Sequence, residues 1–235
     1  MGNVVFTIIM FKLKCFYANI IRKCEAYMKT PKKVVYYFKR GRCYLMRVIG
    51  GSEKSKKISC PSAKQVRPTS DRVREALFNI LGLQVKGITF IDGFAGSGSV
   101  GIEALSRGAG YVYFIDNHRR CIQAIRQNIA RLEVHNRARI INNDILKGLE
   151  KIANKGVKAD LIFLDPPYGT KQSLLACEHI LEINLINKAG IVVLESYRKD
   201  EMSIAGWCQF DQRCYGDTKL TFLKKDLPLN VSGGQ

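Results

Sequence analysis

From Gly87 onward, short apolar runs alternate with stretches whose apolar residues recur at helical spacing. The runs Ile88–Ile91, Tyr111–Ile115, Arg139–Ile141, Leu161–Leu164 and Ile191–Leu194 predict strands; the stretches from about Ser99, over His118–Leu132 and over Ser173–Ile183 predict helices. That rhythm specifies an α/β domain, a mostly parallel sheet with helices on both faces. Two last runs, near Trp207–Tyr215 and Lys219–Leu223, flank Gly216-Asp217 and read as a closing antiparallel hairpin.

Ahead of Gly87 the texture differs. Met46–Ile49 and Lys57–Cys60 are short apolar runs either side of Gly50-Gly51, a β-hairpin pattern, and Arg47, Lys54, Lys56, Lys57 and Lys64 make it a basic lobe suited to phosphate contacts. Proline in Arg67-Pro68-Thr69-Ser70 breaks that lobe, and Ser70 or Thr69 can cap a helix to about Leu81. Its stripe Val73, Ala76, Leu77, Ile80, Leu81 faces a core and leaves Arg72, Arg74 and Asn79 elsewhere on the surface. The chain is therefore expected to divide into a basic, poorly ordered extension (1–45), a hairpin and helix (46–84), the α/β domain (85–225) and a tail (226–235).

Composition narrows the partners. The formal net charge is +18. Residues 1–45 hold ten Lys or Arg against one acid, Glu25, a balance of +9 that leaves +9 for residues 46–235. The folded part is itself basic, which points to a polyanion such as nucleic acid. The eight cysteines include no C-x-x-C pair and no His cluster beside them, which argues against zinc or a redox dithiol. They read as reduced core thiols of a cytosolic protein, Cys121 and Cys177 among them. Val4–Phe11 is too short to span a bilayer and lacks a basic segment before it, and Phe6 breaks the myristoylation pattern. Organelle targeting by 1–45 and a true start near Met46 stand as alternatives.

The segment Asp92-Gly93-Phe94-Ala95-Gly96-Ser97-Gly98 is read as following the first strand directly, at the sheet edge where α/β proteins bind ligands. Glycines let such a loop turn tightly under a nucleotide-like cofactor. Gly96-Ser97-Gly98-Ser99-Val100-Gly101 also satisfies the dinucleotide fingerprint, but an acid, Asp92, stands where the first glycine should leave the strand. A carboxylate repels a pyrophosphate and attracts the cationic sulfonium or ammonium of S-adenosylmethionine, so the latter is the expected cofactor. Asp116, ending the second strand, is placed to accept from ribose hydroxyls, or alternatively caps the next helix. Asn143-Asp144 end the third, where Asp144 could accept an adenine amine or form an Asx-turn.

Asp165-Pro166-Pro167-Tyr168 begins where the strand Leu161–Leu164 stops. Prolines fix the backbone, donate no N–H and leave outward carbonyls as acceptors. An exocyclic amine on a base is a poor nucleophile because its lone pair is delocalised. Accepting both its hydrogens at the Asp165 carboxylate and the Pro166 carbonyl would free that lone pair, so catalysis would rest on positioning and charge stabilisation. Tyr168 offers a stacking face worth roughly 1–3 kcal/mol to a base that has left its helix.

These motifs resemble class I methyltransferases, and more closely the RsmD-like family that makes N2-methylguanine in 16S ribosomal RNA. The resemblance covers about Met46 to Leu223 and is carried by Met46–Gly51, Arg67-Pro68-Thr69-Ser70-Asp71-Arg72-Val73-Arg74-Glu75-Ala76-Leu77-Phe78-Asn79, the glycine loop through Gly101-Ile102-Glu103-Ala104-Leu105-Ser106-Arg107-Gly108-Ala109, and the Asp-Pro-Pro-Tyr segment. It implies a Rossmann-like seven-stranded sheet with the last strand pair reversed and a small N-terminal β-hairpin. It also implies a monomer with the assembled or partly assembled small ribosomal subunit as substrate, in the bacterial cytoplasm; no metal or membrane is expected from the cysteine pattern and the short apolar run. Asp92, Gly96, Gly98, Asp116 and Asp144 would then be cofactor positions, joined by Gly93, Phe94 and Asn143 in the same segments, with Asp165 and Tyr168 at the catalytic edge. Residues 1–45 have no counterpart in that pattern, and Glu195 acquires no role from it.

An adenine-N6 DNA methyltransferase would use the same tetrapeptide. Such an enzyme usually carries a separate base-reading domain, for which neither the span Asp144–Asp165 nor the stretch after Leu223 has room. A non-catalytic RNA-binding module predicts an eroded loop or tetrapeptide, and a dinucleotide oxidoreductase has no need of Asp165.

Overall fold

Strands whose every residue is apolar can be stable only when both faces of a sheet are covered, and the central runs of this chain are of that kind. The structure, a computed structural model, describes residues 37–39, 42–44, 46–60, 70–167, 170–201 and 203–226. Contacts divide the chain into Met1–Val35 and Tyr36–Gln235, and every described residue belongs to the second unit. No helix among the described residues is long and apolar enough to cross a membrane.

The elements, in order, are strands β1 (Tyr37–Lys39), β2 (Arg42–Tyr44), β3 (Met46–Arg47) and β4 (Lys57–Ile58), helix α1 (Asp71–Leu81), β5 (Thr89–Gly93), α2 (Ser99–Ser106), β6 (Tyr111–Asp116), α3 (Arg119–Leu132), β7 (Ala138–Asn142), α4 (Ile145–Ala153), β8 (Ala159–Leu164), α5 (Gln172–Glu182), β9 (Ile186–Tyr197), β10 (Trp207–Tyr215) and β11 (Thr218–Lys225). Seven of them form one sheet in the order β10-β11-β9-β8-β5-β6-β7. From β7 to β9 all neighbours are parallel. The reversal expected of the last strand pair is one of order. β11 lies between β9 and β10 and is antiparallel to both, so β10 runs with the parallel strands.

Alternation along each strand divides the core in two. Phe90, Phe114, Phe163, Val193 and Phe222 point to the face covered by α1, α2 and α3. Ile91, Ile115, Ile162, Leu164, Val192 and Leu194 point to the other, where α4 and α5 pack. α4 has no counterpart among the predicted elements. Its nine residues include Gly148 and two lysines, and it buries only Ile145, Gly148, Leu149 and Ile152. Gly148 is required where it stands, because a Cβ there would come within 2.5 Å of Ile115 Cγ2.

β3 and β4 pair antiparallel, as the hairpin pattern predicts, and the lobe is fastened by charge and hydrogen bonds as much as by apolar packing. Glu103 on α2 is 0% exposed and accepts the N–H groups of Ile49 and Gly50, each at 2.8 Å, together with Arg107 Nε at 2.8 Å. Arg74 Nε stands 3.8 Å from the same carboxylate, and Arg74 Nη2 donates to the Arg47 carbonyl at 2.7 Å. Arg74 is thus wholly buried, which corrects its surface assignment. α1 buries it together with the apolar stripe because Asp71, at 3.0 Å, and Glu103 supply the counter-charge. Asn128 on α3 accepts from Ser59 N at 2.7 Å and donates to the carbonyls of Ser59 and Ser97 at 2.8 and 3.0 Å.

Ser70 caps α1, its side chain accepting the Val73 N–H. Within 1–45, β1 and β2 form an antiparallel pair. The rest of that extension, Lys64, Arg67-Pro68-Thr69, Tyr168 and residues 227–235 lie outside the described residues. Cys60, Cys121 and Cys177 are buried free thiols as expected, whereas Cys208 and Cys214 are exposed on β10, outside the core.

Candidate active site

Parallel strands end together, so whatever follows each of them gathers at one edge. Here β5, β6, β7, β8 and β9 bring Asp92, Asp116, Asp144, Asp165 and Glu195 to a single cleft of about 640 Å3. Phe94, Gly96, Asn143, Pro166 and Pro167 line it as well. Among the described residues five carboxylates and no Lys or Arg line this cleft, in a chain whose net charge is +18.

Asp92 belongs to β5 itself, not to the loop after it, because the pairing with β6 and β8 continues through Gly93. It is 2% exposed, and its Oδ2 accepts the Gly101 N–H at 2.8 Å. Burial pushes the Asp92 carboxyl well above the ordinary carboxylate range; the Gly101 bond opposes this, and the charges of Asp165 and Asp116 add to it. The cavity therefore holds a carboxylate whose ionised form a bound cation would favour.

The loop that follows turns through residues of positive φ, Phe94 (62°), Gly96 (56°) and Gly98 (75°). Phe94 is the one of these with a side chain, and it holds that conformation at the cleft wall, a strain of order 1 kcal/mol. Ala95 N–H donates to the Ile115 carbonyl at 2.9 Å and Gly98 N–H to the Ala95 carbonyl at 2.6 Å, fastening the loop to β6. Gly93 and Gly98 do not line the cleft. A Cβ on Gly93 would meet Leu164 Cδ2 at 2.6 Å, and Gly98 caps α2 with Phe114 and Ile125 against it, so both shape the loop from behind.

Asp116 ends β6 as predicted. Its Oδ2 accepts the Gly96 N–H at 2.8 Å and its Oδ1 the His118 N–H at 2.7 Å. Burial raises its pKa despite both bonds. His118 and not Asp116 is the capping residue of α3, its ring nitrogen accepting from Arg120 N. Cys121, one turn into α3, lies against Asp116, and burial followed by that neighbouring charge pushes its thiol up to about 12. It is a wall of the cleft and no nucleophile.

β7 ends at Asn142, one residue earlier than Asn143-Asp144. Asp144 caps α4 by accepting the Lys147 N–H at 3.1 Å, which is a local turn role, and it lines the cleft at the same time. Beyond β8, Asp165, Pro166 and Pro167 follow at once. The prolines do not leave both carbonyls uncommitted, since Thr170 Oγ1 donates to Pro167 O at 2.8 Å.

Sequence reasoning had no role for Glu195, and the structure places it inside β9, 5% exposed, on the cleft wall. It also missed His118, Cys121, Ile145, Leu146, Gln172 and Leu175. These come from the first turns of α3, α4 and α5 or the residue just before them, positions defined by how the helices pack over the edge and carrying no motif. Among the described residues no group of three or more His, Cys, Asp or Glu could hold a metal ion.

Comparison with known proteins gives the same outline. The family described as conserved hypothetical protein 95 matches residues 46–224. The Bacillus subtilis protein YlbH, described provisionally as an rRNA methyltransferase, is 34% identical over 182 residues, 77% of this chain and 99% of its own. The ribosomal RNA small subunit methyltransferase D of Buchnera aphidicola subsp. Acyrthosiphon pisum is 36% identical over 169 residues, 72% of this chain and 85% of its own. Among solved structures, that of the Escherichia coli protein yhhF, described provisionally as a methyltransferase, superposes with a TM-score of 0.67 at 28% identity, over 78% of this chain and 99% of that one.

Proposed function

The chain belongs to the conserved hypothetical protein 95 family of RsmD-like methyltransferases, and on that premise we propose that it transfers a methyl group from S-adenosylmethionine to the exocyclic N2 of a guanine in small-subunit ribosomal RNA. The observation that carries this reading is the contrast between an acidic cleft and a basic chain. A cleft lined, among the described residues, by five carboxylates and no Lys or Arg favours a cationic small molecule and disfavours a pyrophosphate, while the net charge of the chain favours a polyanion.

The residues present fit S-adenosylmethionine. Asp116, its oxygens already fixed by two backbone N–H groups, keeps lone pairs for ribose hydroxyls. Asp92, disfavoured as an anion by burial, gains from a cation beside the loop. Asn143 and Asp144 stand where an adenine amine would be accepted, and Phe94, Gly96 and the loop amides would enclose the rest. When bound, the cofactor supplies an electrophilic methyl on a sulfonium.

The chain's own part is positioning and charge. The Asp165 carboxylate and the Pro166 carbonyl accept the two amino hydrogens of the target base, so that the nitrogen lone pair is released from the ring and aimed along the cleft. Thr170 occupies the Pro167 carbonyl, which leaves Pro166 as the backbone acceptor. As the N–C bond forms and the S–C bond breaks, the nitrogen becomes cationic, and Asp165 stabilises that charge and takes up the proton the nitrogen then sheds. The target base has left its helix to reach this point. The protein acts as a monomer in the bacterial cytoplasm, where small subunits are assembled.

Mass spectrometry of ribosomal RNA nucleosides from cells with the gene, without it, and with Asp165→Ala decides the reading. N2-methylguanine should be lost in the last two, while Asp165→Ala still binds S-adenosylmethionine within a few-fold of wild type. An unchanged N2-methylguanine content, or a lost N6-methyladenine in its place, would refute it.

A further inference from the structure

A helix that needs only a solvated outer face mixes charge signs, because opposite charges one turn apart stabilise it and like charges do the reverse. α4 and α5, on one face of the sheet, follow that rule. They carry Lys147, Lys151, Glu150, Glu178 and Glu182, and His179 stands 3.2 Å from Glu150 and 3.0 Å from Glu182. α3, on the other face, does not. Its fourteen residues include Arg119, Arg120, Arg126 and Arg131 and no acid, and the first acid after Asp116 is Glu133, beyond the helix end. Arg119, Arg120 and Arg126 are exposed. Arg119 and Arg126 are seven residues apart, hence on one line of the helix, and Arg120 and Arg131, eleven apart, share a second line about 120° round it, on the other side of the exposed arc.

The two ends of α3 are also the two ends of a path. His118, the residue ahead of the helix, lines the cleft. At the far end Arg131 Nη1 donates to the Lys57 carbonyl at 3.1 Å, so the helix finishes against the basic hairpin. The hairpin tip turns away from the cleft, since Ser52 N–H donates to the carbonyl of Ser106, the last residue of α2, at 2.8 Å, and Glu53 N–H donates to Ser106 Oγ at 2.9 Å. A fourteen-residue helix measures about 21 Å. The lysine-bearing tip thus lies towards the far end of α2, while Ser59, two residues past Lys57, meets the cleft-lining Ser97 through Asn128, which donates to Ser59 O at 2.8 Å and to Ser97 O at 3.0 Å.

We infer that the arginine face of α3 is a binding surface for the phosphate backbone of RNA, which joins the hairpin to the cleft and carries the strand leading to the target nucleotide. This rests on the reading of the protein as an rRNA methyltransferase, and it assigns to α3 a substrate contact that no motif of the sequence marks. Hairpin and helix together offer Arg47, Lys54, Lys56 and Lys57 with the four arginines, against the single acid Glu53, which is paired with Lys56. Phosphate contacts of this kind are sequence-independent and set register and affinity, leaving base choice to the cleft.

The test uses the full-length protein with Arg119→Glu/Arg126→Glu, and Lys151→Glu/Lys155→Glu as a charge-matched control on the opposite face. Filter binding of naked small-subunit rRNA without cofactor, across a salt series, should give the first variant about a tenfold loss of affinity near physiological salt. Its log–log salt slope should be shallower by about 1.5, two phosphate contacts. On small ribosomal subunits KM should rise with kcat kept within about twofold, and cofactor titration should be unchanged. The control should match wild type throughout. A wild-type salt slope in the α3 variant, or an equal loss in the control, would overturn the inference. A wild-type protein that binds rRNA with the expected slopes and transfers no methyl group would instead refute the methyltransferase reading and leave the arginine face standing.

Discussion

Asp116 Oδ2 accepts the Gly96 N–H at 2.8 Å, so the carboxylate that ends β6 holds up the loop that leaves β5. In the proposed function the same group accepts from the ribose of the cofactor. Asp116→Ala removes both functions and leaves the Gly96 and His118 amides without their acceptor. Isothermal titration should show S-adenosylmethionine affinity lower by about 2–3 kcal/mol, roughly a hundredfold. An unchanged affinity would show that the cofactor sits elsewhere.

On the proposed function Asp92 should make cofactor binding depend on pH. Burial raises its pKa, so in the free protein the ionised form is the disfavoured one. The contribution of Asp92 to folding stability is complete below the ordinary carboxylate pKa and is lost as pH rises through the raised value. A cation in the cleft favours ionisation, and binding below that raised value therefore releases a proton. Titrations in buffers of different ionisation enthalpy should detect the release, and affinity should increase with pH until Asp92 is ionised in the free protein. Asp92→Asn should abolish the release and, at neutral pH without cofactor, melt above wild type. Proton release that persists in Asp92→Asn would assign it to another group.

Glu103 holds the hairpin and neutralises Arg74, both from a wholly buried position. Removing it takes the acceptor from Ile49, Gly50 and Arg107 and leaves Arg74 with Asp71, at 3.0 Å, as its remaining carboxylate partner among the described residues. Glu103→Ala should cost about 3–5 kcal/mol in urea unfolding, and hydrogen exchange at the Ile49 and Gly50 amides should accelerate well beyond the rest of the domain. Equal protection of those amides in the variant would mean that apolar contacts alone seat the hairpin.

Much of this architecture is legible along the chain because it depends on local pattern. Alternation of short apolar runs with helical stretches is enough for the parallel sheet, and the acids at the ends of β6 and β8 follow from where each run stops. The Asp-Pro-Pro start of the β8 turn is visible for the same reason. Cys121 and Cys177 are legible as core thiols because apolar residues surround them in sequence. What escaped is equally specific. The strand pairing of Asp92 depends on neighbours from β6 and β8, and the cleft position of Glu195 on how β9 extends past the run that announces it.

The sequence by itself determined the kind of fold, the edge at which chemistry gathers and the charge of the partner, since these follow from hydrophobic period, strand termination and composition. Only the tertiary structure decided that Arg74 goes inside, that the hairpin is seated on the last turn of α3 through Arg131 and that the same helix begins at the cleft wall. A buried charge is tolerable only beside a counter-charge; Asp71 lies three positions from Arg74 in its own helix, and Glu103 reaches it only through folding, across 29 positions of chain. Periodicity reports which way a side chain points along its own element, and it is silent about what another element brings to meet it.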